Sequence, residues 1–268
     1  MSIVLENIST TFNSGQVLTA KMLDCIQRFP RQHYYTSVSG DKNGILYGLN
    51  FEASKNGDVL LSPGAVMYQG MVFSLDKEVN LDVFLRELDI GPGHKFVKLY
   101  LVQQGEVNDN GVIRHTLSLE QKQNYTDGIF MGTYRFGTNK LSLPQYFEDI
   151  VNNKDMELQD IPYLHNQSVT FHPLIFELLK RRLLRKSNRD MYDNILLMQL
   201  CNEIVVSKDV IKVYLKAKGC RLEENIPNES ILEKLNDEKT IEPDETISVT
   251  KVKPSETKQA KGRGIMSR

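Results

Sequence analysis

Apolar Ile45, Tyr47, Leu49 and Phe51 alternate with Leu46, Gly48, Asn50 and Glu52. A period of two puts one set of side chains on one face of an extended segment, the pattern of a half-buried strand. Ala53 to Asp58 (ASKNGD) follows, and its Asn56-Gly57 pair accepts the left-handed backbone that a tight hairpin requires. Val59 to Leu61 returns as a second strand, and Ser62-Pro63-Gly64 turns the chain again. Val66 to Tyr68 and Met71 to Leu75 make a further pair around Gly70. Strand-like runs resume at Phe96 to Val102, Val112 to Leu119 and Ile129 to Phe136, with Val107 to Gly111 (VNDNG) as another hairpin turn. Short strands with this turn chemistry predict an antiparallel β-sandwich.

Helical periodicity brackets that region. Gln16 to Phe29 places Leu18, Met22, Leu23, Ile26 and Phe29 on one face, with Thr19 as N-cap and Pro30 as the stop. Cys25, at the edge of that stripe, reads as a small buried hydrophobe. Val79 to Leu88 is amphipathic as well. From Pro173 the period changes for good. Leu174 to Lys186 is a basic amphipathic helix with Leu174, Ile175, Leu178, Leu179, Leu183 and Leu184 as its apolar positions. Asp190 to Ile204 carries Met191, Ile195, Met198 and Cys201 on one stripe, with Leu197, Leu200 and Ile204 beside it. Ser207 caps a third helix, Lys208 to Lys218, that stops at Gly219. So wide an apolar surface has to be covered, by the helices themselves and the sandwich or by partner subunits.

The expected fold is therefore a mainly β N-terminal sandwich, a small α-helical domain after it, and a largely disordered tail. The boundaries are 1–150 for the sandwich with its N-terminal helix, 151–172 for a connecting segment, 173–219 for the helical bundle and 220–268 for the polar tail. Arg221 to Arg268 is rich in Glu, Lys, Asn, Thr and Pro, and only Leu232 and Leu235 suggest a short helix. Such a composition buries too little to offset chain entropy. Its last stretch is basic, with Lys251, Lys253, Lys258, Lys261, Arg263 and Arg268 against Glu256. It reads as a solvated tail or as one that orders on an acidic partner.

Composition narrows the function. A net charge of −1 argues against a dedicated nucleic-acid or membrane-surface protein, and 40% apolar with 25% charged residues is ordinary for a globular chain. No apolar run approaches the roughly 18–20 residues of a membrane helix, and no signal-peptide pattern opens the chain. Cys25, Cys201 and Cys220 are far apart and in no metal-like spacing, as expected of reduced thiols in a cytoplasmic protein. Metalloprotease, nucleophile-elbow, P-loop, dinucleotide-fingerprint and CxxC motifs are all missing from the sequence. The five histidines never fall at ligand spacing, and His115 reads as an ordinary half-buried strand residue. No catalytic residue, metal site or cofactor is expected. The strongest charge feature is the cluster Lys180, Arg181, Arg182, Arg185, Lys186 and Arg189. It is a solvated helix face or a grip for an acidic partner, and Arg181, Arg182 and Arg185 are the candidate contacts.

Gly15 to Gln27 (GQVLTAKMLDCIQ), Gly44-Ile-Leu-Tyr-Gly48-Leu49, Gly57 to Gly64 and Gly70 to Leu75 together resemble phage baseplate and tail-fibre proteins. The same layout is similar to the N-terminal shoulder of the type VI secretion baseplate protein TssK. In that family a β-sandwich shoulder precedes a helical bundle and a C-terminal head. This chain lacks tryptophan and the family's Pro-Gln-His-Phe-type run, and nothing after Gly219 is long enough for a folded head. The resemblance implies a non-enzymatic structural subunit of a phage-tail-like, contractile-injection or type VI secretion baseplate, cytoplasmic or virion-associated. Leu18, Met22 and Ile26 would dock the sandwich to other baseplate proteins. Leu178, Leu179, Ile195, Met198 and Leu200 would form a homo-oligomeric bundle, a trimer among the candidates, with no nucleic acid bound and no direct membrane insertion. The alternative is a receptor- or glycan-binding tail-fibre module that uses loops such as Gly105 to Gly111.

Overall fold

Gly48 divides the alternating stretch into two strands that belong to different sheets. The structure, a computed structural model, describes residues 2–10, 14–15, 17–20, 22–23, 25–26, 40–88, 96–109, 112–123, 125–135, 141–152 and 156–237. β2 (Gly44–Gly48) lies in the large sheet, and β3 (Phe51–Ala53) pairs in a small sheet with β4 (Val59–Leu61). Between them Gly48 and Leu49 take φ of 64° and 50°. A Cβ on Gly48 would sit 2.1 Å from the Pro63 carbonyl oxygen, so a glycine is needed here for space as well as for conformation. At the kink the buried Tyr163 hydroxyl lies 2.8 Å from Gly48 O and 3.0 Å from Leu49 O. The hairpin between β3 and β4 forms at Asn56-Gly57 as the sequence predicts. Gly57 has φ 77°, and the Ser54 hydroxyl accepts from Asn56 N and Asp58 N.

β4 pairs in turn with β7 (Val79–Asn80), which leads directly into α1 (Leu81–Glu87), capped by the Asn80 side chain. Buried Asp82 on α1 accepts from Val59 N and Leu141 N and so ties the small sheet to its surroundings. The large sheet takes in β1 (Val4–Thr10), β5 (Gly64–Tyr68), β6 (Met71–Leu75), β8 (Phe96–Gln103), β10 (Val112–Gln121) and β11 (Ile129–Arg135). Short strands β12 (Met156–Glu157), β13 (Tyr163–His165) and β14 (Ser168–Thr170) complete its path, and β9 (Val107–Asp109) pairs beside it with β10. The order is β12-β11-β8-β10-β1-β6-β5-β2-β13-β14, antiparallel except where β13 lies parallel to β2.

That order requires curvature. Eight strand steps separate β12 from β13, about 38 Å if the sheet were flat. Only the short link from Glu157 to Tyr163 joins them, a reach of about 20 Å. The sheet therefore curls into an open half-barrel. Leu5, Leu99, Leu117, Ile129 and Tyr163 from the large sheet share one core with Ile3, Phe51, Leu61, Leu81 and Phe84. The β unit also runs further than the sequence suggests, because β12, β13 and β14 come from the stretch expected to be a connector.

The helices build a second core. α3 (Pro173–Arg185) starts at Pro173, and His172 is its N-cap, the imidazole Nδ1 accepting from Leu174 N at 3.0 Å. α4 (Met191–Asn202) opens with a reciprocal capping box between Asp190 and Asp193. α5 (Lys208–Ala217) is capped by Ser207 and ends before Gly219, φ 86°. Two short helices complete the unit, α2 (Phe147–Asn152) and α6 (Asn228–Asn236). Phe147, Ile150, Ile231, Leu232 and Leu235 are buried with the inner faces of α3, α4 and α5. Residues 220–237, expected in the tail, are thus part of the helical unit, while 238–268 with their basic run lie outside the described residues.

Leu174 packs against both cores. Around it the two units are joined by specific contacts. The His172 ring stacks on Phe51 at 5.0 Å and meets the edge or face of Tyr163 at 4.9 Å. Thr170 donates to Val206 O, and the Asn228 amide donates to Gln159 O and Asp160. The Tyr163 hydroxyl that supports the Gly48 kink is therefore one ring away from the cap of α3.

Candidate interaction surfaces of the helical unit

The sequence expects Leu178, Leu179, Ile195, Met198 and Leu200 to form one oligomer surface, but the structure separates them. Leu178, Leu179 and Leu200 are buried in the chain's own helical core. The apolar width that called for a partner is covered within the chain, with α2 and α6 beside Leu178 and Leu179. Ile195 and Met198 face outward, 51% and 66% exposed, and Met191 beside them is 65% exposed. Positions 191, 195 and 198 follow i, i+4, i+7 spacing, so they form one stripe along α4. Leu196 and Leu200 occupy the opposite, buried face. α4 is apolar on both sides, whereas a helix at the rim of a monomer has one polar face.

The expected docking residues at the N-terminal helix also part company. Described residues from Ala20 to Ile26 are helical, and the Thr19 hydroxyl accepts from Met22 N as the predicted cap. Met22 is buried with Cys25 and Val112. Leu18 and Ile26 are exposed, at 56% and 46%. Gln16, Lys21, Asp24 and the stretch from Gln27 to Pro30 lie outside the described residues.

The three candidate arginines meet at one cleft of about 540 Å³, formed where α2, α3 and the end of α6 converge. Their roles differ. Arg182 lies over the Phe147 ring, donates to Leu235 O and Asn236 O at 2.9 Å each, and pairs with Glu148 at 3.5 Å. It braces the cleft walls. Arg181 pairs with Glu177 at 3.0 Å, and the hydrogen bond from Lys180, helped by Arg181, holds the Glu177 carboxyl below its ordinary range. Arg185 lies over the Tyr146 ring at 5.4 Å and makes no hydrogen bond or ion pair among the described residues. The cleft could not be read from the sequence, because α2 and α6 reach it from segments far from α3.

Beneath the cleft the electrostatics are structural. Asp193 is fully buried, 3.0 Å from Lys186, 3.0 Å from Lys218 and 2.7 Å from the Tyr214 hydroxyl. Burial pushes its carboxyl up, but the hydrogen bonds from Tyr214, Lys218 and Lys186 outweigh that and hold it well below the usual carboxylate range. Lys218 also pairs with Asp190. His172 is different: burial pushes it down to about 3, and its Nε2 has no hydrogen-bond partner among the described residues. The ring stays neutral, with the proton on Nε2 because Nδ1 accepts from Leu174 N. A smaller cleft of about 320 Å³ lies at this joint, lined in part by Glu177, Lys180, exposed Cys201 and Glu203. His165, half-buried, pairs with Glu203 at 3.1 Å. Among the described residues no group of three or more His, Cys, Asp and Glu is placed to hold a metal ion. No helix among them is long and apolar enough to cross a membrane.

No family model matches this chain, and no curated protein matches it. Among solved structures, the crystal structure of TssK aligns over 85% of this chain and 71% of its own, at 10% identity and a TM-score of 0.34. An overlap this loose carries no argument for topology or role.

Proposed function

We propose that this chain is a non-enzymatic structural subunit of a phage-tail-like baseplate, of the contractile-injection or type VI secretion kind. In this reading the half-barrel attaches to other baseplate proteins, with Leu18 and Ile26 at the contact, and the chain associates with itself through α4. The observation that carries it is the outward stripe of Met191, Ile195 and Met198 on a helix whose inner face is already buried. Fully burying such side chains contributes about 1.5–3 kcal/mol each, so a wet stripe of this kind is a docking surface by default. The glycine-spaced β half, with its resemblance to baseplate and tail-fibre proteins, supports the choice of machine.

Sedimentation velocity on the full chain tests the assembly. The wild type should sediment as an oligomer at micromolar concentration. The double variant Ile195→Glu and Met198→Glu should sediment as a monomer that keeps the wild-type far-ultraviolet circular dichroism spectrum, since both side chains are exposed within the chain. A wild type that stays monomeric overturns self-association through α4.

A further inference from the structure

We infer that the cleft between α2, α3 and the end of α6 is a second docking site, built for an acidic segment of a partner protein. The lining carries four cations, Arg181, Arg182, Arg185 and Lys186, against two carboxylates, Glu148 and Asp237. The chain as a whole has a net charge of −1, so this positive surplus is local. Much of it is already engaged: Arg182 in the walls, Arg181 with Glu177 and Lys186 with Asp193. Arg185 is the exception. Its guanidinium carbon lies over the Tyr146 ring, 5.4 Å from the centroid, and its donors meet no acceptor among the described residues. A guanidinium is a rigid planar fork, and one with free donors beside an aromatic ring can bind a carboxylate edge-on with two parallel hydrogen bonds.

The shape and floor of the cleft narrow the occupant. Buried Leu178 and Phe147 and the half-exposed Tyr146 offer apolar surface beside the charge. An acidic side chain flanked by an aromatic or aliphatic one satisfies both parts. A nucleic acid would need a continuous cationic track along its phosphates. Here Glu177 and Glu148 interrupt the basic face of α3, and that favours a short protein segment. The site does not use the α4 stripe, so the two surfaces fail or succeed independently.

The test is fluorescence anisotropy of the full chain with a short labelled peptide of Asp, Glu and Phe. Binding should weaken as salt rises, and Arg185→Gln should cost about tenfold or more in affinity, as expected for a charge-assisted hydrogen bond. Arg185→Gln should keep the wild-type thermal midpoint and sedimentation, because the side chain is exposed and makes no hydrogen bond or ion pair among the described residues. Ile195→Glu should leave peptide affinity unchanged. Equal affinity in wild type and Arg185→Gln overturns the assignment, as does tighter binding of single-stranded DNA than of the peptide at equal salt. The chain's own Glu242, Asp244 and Glu245 are a competing occupant. If wild type binds nothing and their charge reversal to Lys in the full chain creates binding, the partner assignment is overturned in favour of that segment.

Discussion

Acidification should weaken this fold through His172. The ring is sealed between Phe51 and Tyr163, and burial lowers its pKa from 6.5 to about 3. In the unfolded chain the same histidine takes up a proton near pH 6.5. Between the two values the unfolded state binds more protons, so stability is full above about pH 6.5 and falls as the pH drops towards 3. Each pH unit in that window is worth about 1.4 kcal/mol. From about pH 7.5 to about pH 5 the loss is therefore about 2 kcal/mol, while most carboxylates stay ionised. The perturbation that isolates it is His172→Asn, which keeps a side-chain acceptor for Leu174 N but cannot take a charge. Urea unfolding followed by circular dichroism suits the assay, since the chain has no tryptophan. The other four histidines are common to both proteins and cancel in the comparison. The wild type should lose about 2 kcal/mol more than His172→Asn across that range. Parallel pH profiles would refute the burial argument.

Three further outcomes follow from the same geometry. Tyr163→Phe leaves the Gly48 and Leu49 carbonyls without their donor and should cost about 1–3 kcal/mol in urea unfolding; an unchanged midpoint would mean that the kink stands without it. Gly48→Ala drives a Cβ into the Pro63 carbonyl, whereas Gly70→Ala, also at positive φ, meets open space. The first should cost well above 2 kcal/mol and the second about 1–2 kcal/mol, and equal losses in thermal unfolding would contradict the steric account. Asp193→Ala strips Lys186, Lys218 and Tyr214 of a shared buried acceptor. A loss of about 3 kcal/mol is expected, with an equally stable variant as the contrary result.

Local rules written in the sequence were enough for much of the fold. Period-two alternation and the Asn56-Gly57 turn specify the β3–β4 hairpin, because strand pleat and left-handed backbone are properties of a few neighbouring residues. Thr19, Ser207, Pro173 and Gly219 mark helix ends for the same reason: a cap or a stop acts within one turn. Tertiary structure decided what neighbouring residues cannot encode. It split the alternating stretch at Gly48, since that break depends on Pro63 and on Tyr163, a residue far along the chain. It drew β12, β13 and β14 into the curled sheet and placed α2 and α6 beside Leu178 and Leu179. Burial of those leucines depends on segments that lie far from them along the chain. The α4 stripe and the setting of Arg185 emerge only once that covering is complete, because an exposed position is defined by every contact the rest of the chain does not make.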